Sequence, residues 1–268
     1  MKSSVIDVDD VDEPGMDHDR LESPSPWVKI AGVSLNEDHK RMLETSEWLD
    51  DEVITAAQHL LKDQHPAVGS LQTPTLASKL ALEPQTSEFV QILNLNNNHW
   101  ITVSTVGCQP GHINVYDSLH MTLSEHMKKV LADLLRRQDR TITINHCNVQ
   151  WQSGSSDCGL FAIAFATAIC SDHDPATRVF DQSQMQQHLI TCFNNQKITA
   201  FPERSMKRVV KKPKREVIEV YCVCRLPDDG SVMIQCSRCE EWYHPSCVRV
   251  PRKFLKKECK EQYICKFC

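Results

Sequence analysis

Gln152-Ser153-Gly154-Ser155-Ser156-Asp157-Cys158-Gly159 runs without a break into Leu160-Phe161-Ala162-Ile163-Ala164-Phe165-Ala166. The second half is wholly apolar and holds no turn residue, so it predicts a helix buried on all sides. The first half is small and polar and predicts the loop that enters it. Cys158 then falls in the first turn. A helix N-terminus presents unpaired N–H groups and a partial positive charge, which favour a thiolate over a thiol. A cysteine in such a place, taken alone, is more often a small buried hydrophobe.

Outward from this point, His99-Trp100 stands at the start of one predicted strand and Tyr116-Asp117-Ser118 at the end of another. Cys, His and Asp are the parts of a thiol nucleophile, its base and the group that orients the base. Gln152 can lend its side-chain amide to an oxyanion hole. In this order and spacing, His99-Trp100, Tyr116-Asp117-Ser118 and Gln152…Asp157-Cys158-Gly159 resemble the signature of the ubiquitin-like-protein proteases, the SUMO-protease superfamily, over roughly residues 28–195. Ser153-Gly154 departs from the Asn-Gly more usual there. The resemblance implies a papain-like cysteine protease domain of α+β class. It implies that His99 removes the Cys158 proton, that Asp117 orients His99, and that Gln152 and the Cys158 N–H hold the oxyanion, with no cofactor for catalysis. Trp48-Leu49-Asp50-Asp51-Glu52-Val53-Ile54 resembles the family's N-terminal substrate-binding segment. By the same resemblance, Trp48 and Trp100 are substrate contacts, Trp100 covering the narrow passage for a Gly-Gly C-terminus. The implied partner is SUMO or another ubiquitin-like modifier. The short domain is closer to the compact, transposon-associated branch, which leaves ubiquitin or an ordinary polypeptide open as substrate.

Patterning across the same region agrees with α+β. Trp48, Val53, Ile54, Ala57, Leu60 and Leu61 recur at helical intervals. Residues 89–95, 100–104, 112–116 and 141–145 read as strands, with Asn96-Asn97-Asn98 as a turn. Residues 122–137, 158–171 and 185–193 read as helices. Strands grouped between helices indicate α+β.

The last fifty or so residues carry an independent pattern: Cys222-x-Cys224, Cys236-x2-Cys239, His244-x2-Cys247 and Cys265-x2-Cys268. Paired thiolates at this spacing converge on tetrahedral zinc, and eight ligands make two closed sites without an open water position. Two structural zinc ions are expected, supplying stability that so short a segment cannot draw from a core. The spacing resembles a PHD finger over residues 220–268. That resemblance assigns Cys222, Cys224, His244 and Cys247 to one zinc, and Cys236, Cys239, Cys265 and Cys268 to the other. Cys259 fits no pair. The resemblance also places Tyr221, Met233 and Trp242 at positions of a methyl-lysine cage, so a histone tail is an implied partner. An aromatic face attracts a quaternary ammonium. Asp228 and Asp229 are candidates to meet a basic side chain of the tail.

Composition bounds the rest. The chain has 268 residues, 13 cysteines and a net charge of −5. Residues 1–26 hold eight acids against Lys2 and Arg20, and residues 204–215 hold seven bases and no acid. Such blocks are usually solvated. No apolar run is long enough to cross a bilayer, and Met1-Lys2-Ser3-Ser4 leads into acids rather than an apolar leader. A reducing compartment is expected, which favours metal binding and catalysis over disulfides for the cysteines. The expected organisation is an acidic tail over 1–26, a peptidase domain over 27–200, a basic linker over 201–218 and the finger over 219–268. The run from Lys207 to Arg215 suggests nuclear entry; it has no interleaved aromatics, so direct nucleic-acid contact is left open. Val5-Ile6-Asp7-Val8-Asp9-Asp10 resembles a SUMO-interacting motif, a strand-forming core flanked by acids. The reading that joins these parts is a nuclear cysteine peptidase carried to chromatin by its finger. A catalytically silent chromatin adaptor is the alternative from another class.

Overall fold

A computed structural model describes residues 26–96, 98–135, 139–206, 208–255 and 261–268. The Val5–Asp10 motif, the acidic segment through residue 25, Lys207 and Cys259 lie outside the described residues.

The described chain opens with a hairpin, β1 (Pro26–Ile30) and β2 (Val33–Asn36), then α1 (Glu37–Glu44) and α2 (Asp51–Gln64). Asn36 caps α1 by accepting from the Asp38 and His39 N–H groups, and Asp50 caps α2 by accepting from Val53 N–H at 2.9 Å. Strands β3 (Gly69–Ser70), β4 (Phe89–Leu95), β5 (His99–Ser104) and β6 (His112–Tyr116) follow. Next come α3 (Glu125–Leu135), β7 (Thr141–Cys147), α4 (Cys158–Cys170), α5 (Gln182–Asn194) and β8 (Lys214–Glu219).

These strands form one six-stranded sheet in the order β3-β4-β5-β6-β7-β8, with β3–β4 and β6–β7 parallel and the other pairs antiparallel. Alternation along the strands sends side chains to two cores. Val90, Ile92 and Trp100 join Phe161, Phe165 and Phe193 in a core built on α2, α4 and α5. Leu93, Ile101, Val103, Val115 and Ile144 join Val130, Leu131 and Leu134 of α3 on the opposite face. The pairing directions bring the start of β5, the ends of β6 and β7 and the start of β8 to one end of the sheet. His99, Asp117 and the loop into α4 all lie at that end.

One expectation is corrected. Residues 201–218 are not a linker throughout, because Lys214–Glu219 pairs antiparallel with β7 through six register positions. Six consecutive residues with four charges read as solvated chain. What the charge hides is Ile218, buried in the α3 core, followed by Val220 at 1 % exposure.

The finger begins at once. It holds β9 (Ile234–Gln235) paired with β10 (Trp242–Tyr243), and the short helix α6 (Pro245–Val248). It touches the sheet domain through Lys129–Asp229 (2.9 Å), Arg140–Glu241 (3.2 Å) and an Arg140 Nη2 bond to the Cys239 carbonyl (3.1 Å). No helix among the described residues is long and apolar enough to cross a membrane.

Candidate active site and metal centres

Cys158 is the first residue of α4 and only 1 % exposed. The preceding Asp157 does not cap the helix. Its carboxylate accepts instead from Gln182 Nε2 (2.5 Å) and Gln186 Nε2 (3.4 Å) of α5. The first-turn N–H groups of α4 therefore have no side-chain cap, and the positive end of the helix dipole is left to the thiol. Gly159 is required for a different reason. A Cβ there would lie 2.9 Å from Leu49 Cβ, so only glycine lets the start of α4 sit against the Leu49 segment.

His99 Nε2 lies 2.5 Å from Asp117 Oδ1, both side chains buried. Nδ1 has no hydrogen-bond partner among the described residues and is the ring nitrogen left for the thiol. Burial works against the charged ring, but the hydrogen bond to Asp117 and the neighbouring Cys158 outweigh it, and His99 is raised to about 9. For Asp117 burial would favour the neutral acid, yet His99 and two backbone N–H donors hold it below the ordinary carboxylate value. Those donors are Leu119 N–H (2.8 Å) and Met121 N–H (2.7 Å).

Gln152 is buried and doubly held. Its Oε1 accepts from Ser118 Oγ at 2.6 Å, and its Nε2 donates to the Gly154 carbonyl at 3.1 Å. An amide nitrogen has two donors, so one remains. Ser118 thus fixes which way the amide points. The sequence showed Ser118 beside Asp117 but gave no sign of this contact with a residue 34 positions on.

Trp100 is 5 % exposed and donates its indole N–H to the Leu49 carbonyl at 2.7 Å. Trp48, one residue earlier, is 50 % exposed. The structure thus joins the Trp48 segment, Trp100 and Gly159 through Leu49. A cavity of about 420 Å³ opens on the Trp100 side, lined also by Asp51, Asn94 and Asn96. Sequence reasoning passed over Trp151, which directly precedes Gln152. It is 61 % exposed and stacks on His120 with ring centroids 4.5 Å apart. Nothing local in the sequence pairs those two rings.

In the finger, the ligand atoms of Cys222, Cys224, His244 and Cys247 lie within 4.8 Å of one another, as do those of Cys236, Cys239, Cys265 and Cys268. Four sulfurs at 2.3 Å around a tetrahedral zinc stand about 3.8 Å apart. Here Cys236–Cys268 are 3.7 Å and Cys239–Cys265 3.8 Å apart, with His244 Nδ1 3.4 Å from Cys224 Sγ. Backbone N–H groups of His244 and Cys265 donate to the sulfurs of Cys222 and Cys236, as thiolates require. The donor set fits the metal.

Between the two clusters lies Glu241, 6 % exposed, which the sequence reading missed because an acid in so short a module reads as surface. Its carboxylate accepts from Cys222 N–H, Trp242 N–H, Arg225 and Arg140. Of the expected cage, Trp242 stands opposite Gln235 in the ribbon and is 41 % exposed, and Met233, two residues before Gln235, continues the same side. Tyr221 bonds Glu219 through its hydroxyl. Of the two expected acids, Asp229 is paired with Lys129, and Asp228 is exposed and accepts from Gly230 N–H.

The geometry defines a cysteine-protease-type fold at one end of a mixed sheet, continued by a cross-braced zinc-ligand module. Residues 89–214 match the model of the Ulp1 protease family, C-terminal catalytic domain, and residues 222–268 match that of the PHD-finger. The chain therefore carries an Ulp1-like domain followed by a PHD finger. The fold is similar to that of the C-terminal Ulp1 protease domain solved in complex with Smt3, the yeast orthologue of SUMO. That comparison gives a TM-score of 0.53 at 14% identity, covering 66% of this chain and 90% of that one. It is also similar to the SUMO protease Ulp1 with its catalytic cysteine oxidised to a sulfenic acid, with a TM-score of 0.51, 14% identity, and 65% and 90% coverage. The finger is 43% identical over 49 residues to the Set1 complex component spp1 of Schizosaccharomyces pombe, covering 18% of this chain and 11% of that protein. It is 36% identical over 50 residues to the COMPASS component SPP1 of Saccharomyces cerevisiae, covering 19% and 14%. The chain thus spans only 11% and 14% of the length of those two relatives.

Proposed function

We propose that this chain is a cysteine peptidase that cleaves SUMO or a related ubiquitin-like modifier. The observation that carries this reading is the buried arrangement of Cys158, His99 and Asp117 beside an uncapped helix start. His99, raised to about 9, takes the Cys158 thiol proton and holds it near neutral pH. The sulfur attacks the scissile carbonyl. The Cys158 N–H and the free Gln152 Nε2 donor take the developing oxyanion. His99 gives its proton to the leaving amine, and a thioester remains. Water then attacks the thioester, one of its protons passing to His99 and the other to solvent, and the carboxylate and the thiolate are released. Asp117 keeps the ring in one orientation throughout. Trp48 and Trp100, joined through Leu49, would receive the modifier's C-terminus.

The test is a panel of ubiquitin-like electrophilic probes applied to the full chain. A thiol 1 % exposed makes it decisive, because only a probe that enters the cleft can react. An adduct on Cys158 with a SUMO-type probe, lost in Cys158→Ala, is the expected result. Adducts only with ubiquitin change the substrate, and none with any probe overturns the reading in favour of a binding platform.

The finger is read as holding two structural zinc ions, one on each ligand set, and as binding a histone tail on the side of the ribbon that carries Trp242 and Met233. The similarity of the finger to chromatin-complex components supports a nuclear, chromatin-directed role, with the basic run as an entry signal. Titration of methylated and unmodified tail peptides tests the cage. Weaker binding by Trp242→Ala with zinc retained supports it, and equal affinity for both tails refutes it.

A further inference from the structure

The catalytic pair stands between two different surroundings at its end of the sheet. On the β4 side is the cavity at Trp100. On the β7–β8 side, past Asp117, is a second cavity of about 270 Å³, lined by Asp117, His120, His146, Lys211, Lys212 and Lys214. None of the three lysines has a carboxylate partner among the described residues. Glu216 also lines this wall, but it is already held by Lys128 (2.8 Å) and His146 (3.1 Å). Arg208 ties the approach of this basic strap to the sheet, donating to Asn148 Oδ1 at 2.8 Å and to the Val149 carbonyl. His120 on the rim carries the exposed Trp151, next to Gln152. Cations unpaired among the described residues and an aromatic face therefore stand beside the reacting groups, opposite the Trp48–Trp100 side.

We propose that this basic cavity binds an acidic stretch of the substrate polypeptide on the leaving-group side of the scissile bond. The proposal rests on the peptidase reading above, in which the modifier enters from the Trp48–Trp100 side. A polypeptide leaving group must then pass away from it, toward Asp117 and the lysines. The occupant is chosen by charge. Three ammonium groups without a carboxylate partner among the described residues favour carboxylates, and Trp151 offers apolar surface to the side chains between them. The strap that looks like a linker in the sequence becomes part of the substrate site.

The test uses the full chain and fusions of a modifier C-terminus to leaving segments of glutamates, serines or lysines. The acidic segment is expected to raise kcat/KM about tenfold over serine for three exposed charge pairs. The gain should lie mainly in KM and shrink with added salt. Lys211→Glu with Lys212→Glu should abolish or reverse the preference while leaving turnover of the serine fusion unchanged, which shows that the fold and the catalytic groups are intact. Turnover without discrimination, or discrimination that survives the double variant, overturns the proposal and leaves the peptidase reading standing. If no fusion is cleaved, the peptidase reading fails. Titration of the labelled glutamate peptide then decides the surface: binding lost in the double variant keeps it, and equal binding or none removes it. Tighter binding of a duplex oligonucleotide of equal charge would assign the lysines to phosphate and also overturn the proposal.

Discussion

Asp117 does most to offset the burial that would otherwise empty the His99 ring of its proton. Two consequences differ in sign. His99 has a folded value above its ordinary 6.5, so its contribution to stability is fully present below about 6.5 and is lost as pH rises through about 9. Asp117 is shifted the other way, so its contribution is present above the ordinary carboxylate range and is lost as pH falls through its depressed value. Peptide hydrolysis should accordingly fall on the alkaline side near pH 9. Asp117→Asn should move that limb to lower pH and cut kcat by about 10²–10⁴-fold. A limb that stays in place would mean that Asp117 does not set the ring's charge. At the same scale, Ser118→Ala should lower kcat about tenfold by freeing the Gln152 amide, with no change in the alkaline limb. These residues differ in how far the chain betrays them. His99, Asp117, Gln152 and Cys158 stand at predicted strand and helix ends, with the types and order that the proposed chemistry requires. Ser118, Trp151 and Glu241 act through contacts 19 to 34 positions away, which no local pattern encodes.

At the level of elements, α4 and β8 behave in opposite ways under sequence reading. The α4 stretch is apolar on every side because it is packed on every side, so pattern and burial coincide. For β8, the pattern points one way and the packing another. Lys214, Arg215 and Glu219 are exposed and Glu216 is paired with Lys128 of α3, while Ile218 and the following Val220 reach the core. The hairpin β1–β2 and helix α1 went unread because each is too short for a period to stand out. Close packing at the start of α4 makes a further prediction. Gly159→Ala places a methyl about 2.9 Å from Leu49. Overpacking of this kind costs about 1–3 kcal/mol, so the melting temperature should drop by several degrees. The loss caused by Gly159→Ala should be smaller in a Leu49→Gly background, which lacks the Leu49 Cβ, than in the native chain, and an equal loss in both would show that the clash lies elsewhere.

For the whole molecule, zinc and sheet are expected to share one fate. β8 ends at Glu219, Val220 is buried in the α3 core, and Cys222 already belongs to the first proposed ligand set. Metal binding in such modules contributes about 10–16 kcal/mol. Strong chelation of the full chain should therefore raise hydrogen exchange in the finger and also along the β7–β8 ladder, while α4 keeps its protection. Exchange confined to residues beyond Cys222 would show that the strand holds without the finger. Arg140→Ala, which removes contacts to both Glu241 and the Cys239 carbonyl, should produce a milder version of the same pattern with zinc still bound.

The strand taken from the supposed linker also governs distance. A flexible tether sets a local concentration by its length and lets a bound partner sweep a volume. Here the joint is a hydrogen-bonded ribbon with two residues between the last strand position and the first metal ligand. Whatever the finger grips is presented to the cleft at one bearing and one range. On the proposed reading the chain would work as a caliper, its choice among bonds of equal chemistry set by where they stand relative to the gripped point.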